Sequence, residues 1–205
     1  MKKYRPTSPS RRHMEAIDWK SILTGAGPYK PLTTGFSRGR GRNAAGRITT
    51  RHKGGGAKRL WREIDFRYEK KDVSARVVSI EYDPNRSSFI ALVQYRDGDK
   101  RYVLAPQGVT VGKEVITSQR APVEAGNRMP LYQIPVGTLV YNIEVQIGHG
   151  AQLVRSAGTG ALVLAHESGY THLQLPSKEI RKIRSENWAC IGSLSNPEHE
   201  LMQIG

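Results

Sequence analysis

Three features are scarce or missing in this 205-residue sequence: cysteine, long apolar runs and, over residues 19–62, any acidic residue. The single cysteine, Cys190, excludes an intrachain disulfide framework and a multi-cysteine zinc site, and it is compatible with a reducing compartment. Because there is no run of 18 apolar residues, we expect no membrane-spanning helix. The basic start MKKYRPTSPSRRH is not followed by the apolar segment of a secretory signal.

The sequence also lacks the motifs of common catalytic and cofactor sites. The run GGGAKR does not have phosphate-loop spacing, RGRGRN is not a dinucleotide fingerprint, and no nucleophile-elbow motif occurs. Of the six histidines, only His166 and His172 fall in adjacent predicted strands, and two ligands are too few for a metal site. We therefore expect structural or solvent-facing histidines, a buried Cys190, and no enzymatic activity, metal, cofactor or small-molecule substrate.

Positive charge is abundant, and all of the excess lies in the first third of the chain. Residues 1–62 carry 16 Arg or Lys against two acids, whereas residues 63–205 carry 16 of each sign. Such a basic, Gly-rich segment has too little apolar surface to fold alone. Arg and Lys displace counterions from phosphates, and Gly allows close backbone approach. The pattern therefore favours a polyanionic partner over a solvated tail that binds nothing specific.

From about residue 63 the pattern predicts short β-strands. The segments 74–82, 88–95 and 100–105 alternate with turns at Asp83-Pro84-Asn85 and Asp97-Gly98, which indicates a meander, and 111–117 is a further short strand. A second series is predicted at 137–146, 151–158, 161–167, 170–176 and 179–183. Helix is expected only within 14–23. This spacing favours two small β-barrels behind a basic arm.

The aromatic residues of the meander allow two interpretations. Exposed rings on such a barrel can stack on bases, whereas inward rings fill its core. We favour the core interpretation for Tyr82, Phe89, Tyr95 and Tyr102, with Tyr82 and Phe89 pairing across the first turn.

Six segments together resemble the bacterial-type family of large-subunit ribosomal protein number two. The match covers nearly all of residues 5–205, in order and without large gaps. The segments are PTSPSRRH, GRNAAGRITTRHKGGGAKR, IDFRYEK, EYDPNRSSFIALVQYRDGDKRYVLAP, IPVGTLVYNIE and GAQLVRSAGT. The resemblance implies a mainly β fold with five parts: a basic, largely extended arm (1–62), an OB-like β-barrel (63–120), a connector (121–130), an SH3-like β-barrel (131–197) and a C-terminal tail (198–205).

The resemblance also implies that the arm is threaded between helices of ribosomal RNA. The rRNA-binding residues expected there are Arg38, Arg40, Arg42, Arg47, Arg51, His52, Lys53, Gly54, Gly55, Gly56, Lys58 and Arg59. Two more are expected on loops of the β-barrels: Arg86 in DPNRS and Arg155 in LVRSAGT. A cation on a Gly- or Pro-bounded loop can meet a phosphate. The alternative for Arg86 and Arg155 is an ordinary surface arginine.

As a partner the resemblance implies large-subunit ribosomal RNA, close to the peptidyl-transferase region and the subunit interface, and other ribosomal proteins. It implies a place in the ribosome, in a bacterial cytoplasm or the matrix of a mitochondrion or plastid, and a role in subunit assembly and association. The family normally continues with a basic, Gly- and His-rich C-terminal extension, whereas this sequence stops at HELMQIG. We expect that the extension is either lost or carried by a separate chain, and we favour the separate chain.

Two rival functions use the same features differently. A free regulatory factor could bind single-stranded nucleic acid with two small β-barrels, but it would gain little from a long Gly-Arg arm. An RNA-modifying enzyme would need a nucleophile, a metal set or a cofactor loop, none of which the sequence presents.

Overall fold

The computed structural model describes residues 1–25, 27–36 and 39–204, and the fold is mainly β, as predicted. In chain order the elements are β1 (Lys2–Lys3), β2 (Glu15–Ala16), α1 (Trp19–Ile22), β3 (Thr33–Gly35), β4 (Leu60–Arg62), β5 (Ser74–Glu81), β6 (Ile90–Tyr95), β7 (Lys100–Leu104), β8 (Glu114–Ile116), β9 (Arg128–Pro130), β10 (Leu139–Tyr141), β11 (Ile143–Glu144), β12 (Ala151–Leu153), β13 (Ala161–Glu167), β14 (Tyr170–Gln174), β15 (Ile180–Arg184) and β16 (Trp188–Ile191). Short 3₁₀ turns cover Pro9–Arg11, Lys30–Leu32, Leu131–Gln133 and Pro197–Leu201.

The predicted meander forms a four-stranded antiparallel sheet in the order β7-β6-β5-β8. Val and Ile residues favour these strands, and their inward side chains fill a core that includes Val77, Ile90 and Leu104. The turn at Asp97-Gly98 takes the positive φ of 87° at Gly98 that a tight hairpin requires. This sheet is consistent with the small OB-like β domain that the family resemblance implies.

The chain before the meander is fastened to this sheet by buried polar groups. The hydroxyl of Tyr102 accepts the backbone N–H of Tyr29 at 2.7 Å and donates to the carboxylate of Glu81 at 2.7 Å. Burial, followed by the bond to Glu81, raises the pKa of Tyr102. Thr24 bonds through its hydroxyl to the carbonyl oxygen of Ile80 at 2.9 Å. These contacts fix where the N-terminal third leaves the folded part.

The second series of strands forms a six-stranded antiparallel sheet in the order β15-β14-β13-β10-β16-β9, beside the pair β11-β12. β13, β14 and β15 agree closely with the predicted segments. β16 was not predicted, and β9 lies within the segment 121–130. Both are short and carry weak strand signals, since Ala189, Cys190 and the buried Arg128 are not typical strand formers. Their pairing across a long sequence separation decides their conformation.

Buried polar side chains join the two sheets. Arg128, 2% exposed, lies 4.5 Å from the ring centroid of Tyr68 and donates to the carbonyl oxygen of Asn142 at 2.8 Å. The side-chain amide of Asn142 in turn donates to the hydroxyl of Tyr68 at 3.0 Å. Burial raises the pKa of Tyr68 well above its ordinary value. Cys190 is buried in the same contact region, as expected. The core of the first sheet thereby continues into residues of the second.

The meander aromatics confirm the core interpretation for Phe89, Tyr95 and Tyr102, which are at most 6% exposed. Tyr82 differs, since it is 48% exposed. Tyr82 and Phe89 both pack edge-on against Trp19 of α1, with ring centroids 5.1 and 5.6 Å away. The short helix therefore mediates the contact that we expected the two rings to make directly.

The buried phenols predict a loss of stability at alkaline pH. Burial, with the nearby Asp65 carboxylate, raises the pKa of Tyr95 to about 12, whereas an unfolded tyrosine titrates near 10. Between these values the unfolded chain ionises first, so rising pH favours unfolding. We expect the free energy of unfolding to fall across this range, and Tyr95→Phe to reduce the slope by about 1 kcal/mol per pH unit.

The measurement is urea denaturation at a series of pH values from about 8 upward, in steps of about 0.5 pH unit through the range in which tyrosine titrates. Tyr170→Phe is the matched control, because it removes a phenol that is 44% exposed. Equal slopes for both variants would contradict the assignment to Tyr95.

Candidate nucleic-acid interface

Two short strands, β3 and β4, bring together the two ends of the most basic segment of the chain. β3 and β4 pair antiparallel, with Thr33 opposite Arg62 and Gly35 opposite Leu60. Residues 36–59 connect β3 to β4, and we call them the arm loop. β4 leads into the first sheet, where Ile64 bridges Tyr102 and the N–H of Asp65 donates to the Tyr102 carbonyl oxygen at 2.9 Å. The base of the arm loop is therefore fixed to the folded part.

Local hydrogen bonds shape the middle of the arm loop. Thr49 and Thr50 both donate their backbone N–H to the carbonyl oxygen of Gly41, at 2.7 and 3.1 Å. Asn43 closes a smaller turn, because its side-chain oxygen accepts the N–H of Arg47 at 2.9 Å. Gly41 has a φ of 63°, and a Cβ there would collide with the Thr50 carbonyl oxygen. Only glycine fits this position without strain.

The cations predicted in the arm loop are exposed. The structure places at the surface Arg40, Arg42, Arg47, Arg51, His52, Lys53 and Lys58. Within the described ranges, the ion pairs at 4 Å or less include none of these side chains. Arg38 lies outside the described residues. The predicted Gly54, Gly55 and Gly56 all have positive φ. The arm loop therefore presents cations without an acidic partner next to backbone that carries no side chains.

Arg86 bonds to a buried carboxylate, and Arg59 bonds to a backbone carbonyl oxygen next to it in the chain, so neither side chain points freely outward. Asp83 is 0% exposed and accepts a hydrogen bond from Nε of Arg86 at 2.5 Å, with Nη1 of Arg62 at 3.8 Å. Arg59 donates to the carbonyl oxygen of Pro84 at 2.8 Å. The side chain of Asn85 donates to the Leu60 carbonyl oxygen at 2.8 Å, so the returning arm is tied to the first hairpin.

Arg155 and Arg86, which the sequence presents separately, approach the same aromatic ring. Their guanidinium carbons lie 4.8 and 5.7 Å from the centroid of Phe66. The Ala151 N–H donates to the Phe66 carbonyl oxygen at 2.9 Å, which holds the loop of Arg155 against the first sheet. Arg155 is exposed and Arg86 half-buried. Together with Arg59 they form a second group of cations, at the junction of the two β parts.

Two aromatic residues at the base of the arm loop were not predicted as site residues. Phe36 and Trp61 are 39% and 45% exposed, and their ring centroids are 6.0 Å apart. The available signal was an aromatic residue at each end of an acid-free basic stretch. Trp61 also adjoins the first predicted strands, so its position in the sequence equally indicates the beginning of the core.

His166, one of the two histidines in adjacent strands, makes hydrogen bonds within the protein. His166 bonds to the hydroxyl of Thr171 and to the carbonyl oxygen of Ile134, both at 2.9 Å. Across residues 1–25, 27–36 and 39–204, no group of three or more His, Cys, Asp or Glu is arranged to hold a metal. No helix within those same ranges has the length and hydropathy needed to cross a membrane.

Gly41 provides a test of the arm-loop geometry. We expect Gly41→Ala to break the turn, because the new Cβ meets the Thr50 carbonyl oxygen and Lys53 Cβ, the latter at 3.0 Å. Hydrogen exchange followed by NMR should show faster exchange at the Thr49 and Thr50 amides. Gly46→Ala is the control, since Gly46 has a similar φ of 76° but no atom within 4 Å of the added Cβ. Unchanged exchange in Gly41→Ala would contradict the described turn.

Comparison with known proteins identifies the family to which this chain is similar. The model of the RNA-binding N-terminal domain of ribosomal proteins L2 matches residues 29–117, and that of their C-terminal domain matches residues 124–205. The large ribosomal subunit protein uL2 of Roseobacter denitrificans is 47% identical over 205 residues, which are 100% of this chain and 73% of that protein. The chain therefore belongs to the ribosomal protein L2 family.

Proposed function

We propose that the arm loop, with the cations at the junction of the two β parts, holds this protein on large-subunit ribosomal RNA. Membership of the L2 family makes the chain a structural constituent of the large ribosomal subunit, not an enzyme, and its N-terminal domain an RNA-binding one. The finer proposal concerns which residues make the contacts. The observation that carries it is the set of exposed arm-loop cations without a carboxylate partner among the described residues.

Electrostatics supports this assignment. A cation that is already paired within the protein gains little from a phosphate, whereas an unpaired one releases counterions from RNA on binding. Arg predominates in the arm loop, and its planar guanidinium makes two parallel hydrogen bonds to a phosphate. Because both ends of the loop are fixed at β3 and β4, ordering it on RNA costs less conformational entropy than ordering a free tail.

The cations at the junction of the two β parts are less free to contact RNA than those of the arm loop. Arg155 is exposed and points from the second β part, and we assign it a phosphate contact. Arg86 bonds to the buried Asp83, so its contact with RNA would use the guanidinium nitrogens that Asp83 leaves free. Cations from both β parts then meet the same stretch of RNA and fix the orientation of the protein on it.

On the same basis we propose a place near the peptidyl-transferase region and the subunit interface, with a contribution to subunit assembly and association and with other ribosomal proteins as neighbours. The ribosome that contains this chain is of the bacterial type, in a bacterial cytoplasm or an organelle matrix. A free regulatory factor is disfavoured, because the similarity to a large-subunit protein extends over 100% of the chain.

The salt dependence of RNA binding tests the arm loop. We expect the variant with Arg40, Arg42, Arg47 and Arg51 all changed to Gln to bind a large-subunit rRNA transcript more weakly. The slope of log K against log salt should become shallower by about 3, since each phosphate contact contributes roughly 0.7 to 0.9. Filter binding across a range of salt concentrations measures both quantities.

The matched control removes the same charge from the second sheet. Lys178, Arg181, Lys182 and Arg184 are exposed on or beside β15, and changing all four to Gln gives the same net charge as the arm variant. We expect the control to keep the wild-type slope. If both variants lose the same slope, the binding is a property of net charge and the proposal for the arm loop is wrong.

A further inference from the structure

Two exposed aromatic rings stand at the base of the arm loop and are not used by the electrostatic contacts. Phe36 follows directly after β3, and Trp61 lies in β4 opposite Thr34. Their rings meet at an interplanar angle of 64° with centroids 6.0 Å apart, so Trp61 supports the Phe36 ring from one side. Phe36 nevertheless remains 39% exposed. An aromatic ring held in place and left open to solvent is available to a ligand.

Phe36 borders two clefts. One has a volume of about 610 Å³ and is lined by Arg40, Lys58 and Arg59 together with Gly35, Gly55, Gly56 and Ala57. The other contains His52 and Lys53 with Gly39, Gly54 and Gly55. The larger volume lies in the range of roughly 300–1,000 Å³ found for small-molecule sites. Each cleft combines the Phe36 ring, cationic side chains and glycine residues. Because glycine has no side chain, a ligand can come close to the backbone there.

This combination of groups fits an unpaired nucleotide. A base stacks on an aromatic ring irrespective of its sequence, and the adjoining phosphate binds Arg or Lys. Unpaired bases in loops and bulges are also the parts of folded RNA that present their faces to a protein.

A protein partner fits the site less well. A protein partner would have to place several carboxylates against the cations of this cleft, because interfaces match charge with opposite charge. Here the ring is bordered by Arg40, Lys58 and Arg59, and the surrounding sequence has no acidic residue from 19 to 62. The charge therefore selects a polyanion, and the ring selects one that has a stacking face. RNA supplies both.

We propose that Phe36, supported by Trp61, is a stacking platform for the base of one unpaired ribosomal RNA nucleotide, whose phosphate binds the cations of the larger cleft. The inference rests on the proposed function, since it assumes that the arm loop lies on RNA. It adds a contact that depends on ring shape and not on charge.

The test compares full-length variants on the same large-subunit rRNA transcript. We expect Phe36→Leu, which keeps an apolar side chain but removes the ring, to weaken binding about tenfold. Phe36→Tyr should restore affinity, because it returns a ring. Neither variant removes a cation, so the salt slope should stay at its wild-type value. Tyr170→Leu is the control, since Tyr170 is 44% exposed on β14, away from the arm loop.

Chemical probing of the bases in each complex provides the second readout. In the wild-type and Phe36→Tyr complexes one unpaired base should be protected, and in the Phe36→Leu complex that base should become reactive while the rest of the footprint persists. Wild-type affinity and footprint in Phe36→Leu would overturn the proposal. So would a Tyr variant that binds no better than the Leu variant, because the contact would then not be stacking.

Failure of the proposed function would look different from failure of the stacking contact. If the arm loop does not bind RNA, the variant with four arm arginines changed to Gln keeps the wild-type salt slope and the arm-loop footprint is absent in every complex. If only the stacking contact is wrong, the footprint and slope of the wild type persist in Phe36→Leu. Urea denaturation of Phe36→Leu establishes that any loss of binding is not a loss of folding.

Discussion

The carboxylate of Asp83 is fully buried, and its two oxygens are shared by side chains that come from different parts of the chain. Arg86 and Arg62 supply positive charge, and the backbone N–H and side chain of Asn85 supply hydrogen bonds. A buried charge is tolerated only when it is compensated in this way. Asp83 thereby holds Arg62 of β4, which follows the arm loop, next to Arg86 of the first hairpin. Arg59, which bonds to the Pro84 carbonyl oxygen, is positioned by the same turn.

The parts of this fold that local signals determine were predictable. The meander follows from runs of Val and Ile separated by Asp-Pro-Asn and Asp-Gly turns, and the basic, glycine-rich character of the arm is plain from its composition. The pairing of β3 with β4, which closes part of the arm into a loop, was not predicted. β9 and β16 were not predictable in this way, because Arg128 and Cys190 become strand residues only through pairing across more than fifty positions. The role of Phe36 was not predictable for a similar reason, since the exposure of its ring depends on the pairing of β3 with β4.

Hydrogen bonding explains why the two β parts share an interior. Tyr68 belongs to the first part, Asn142 and Arg128 to the chain that builds the second, and each satisfies a polar group of another. A polar network of this kind fixes orientation more than it adds stability, because its groups lose hydration when they become buried. Cations from both parts, Arg86 and Arg155, thereby lie close to the same ring, Phe66.

The arm is a loop with both ends fastened to the same pair of strands, not a free tail. A free end can be passed through a gap between RNA helices tip first, as a single thickness of chain. A closed loop enters such a gap only as a doubled chain, and it leaves only by the way that it came. If RNA encloses the arm loop as proposed, it has to close around the loop after the protein has arrived, and this contact would then form early in assembly.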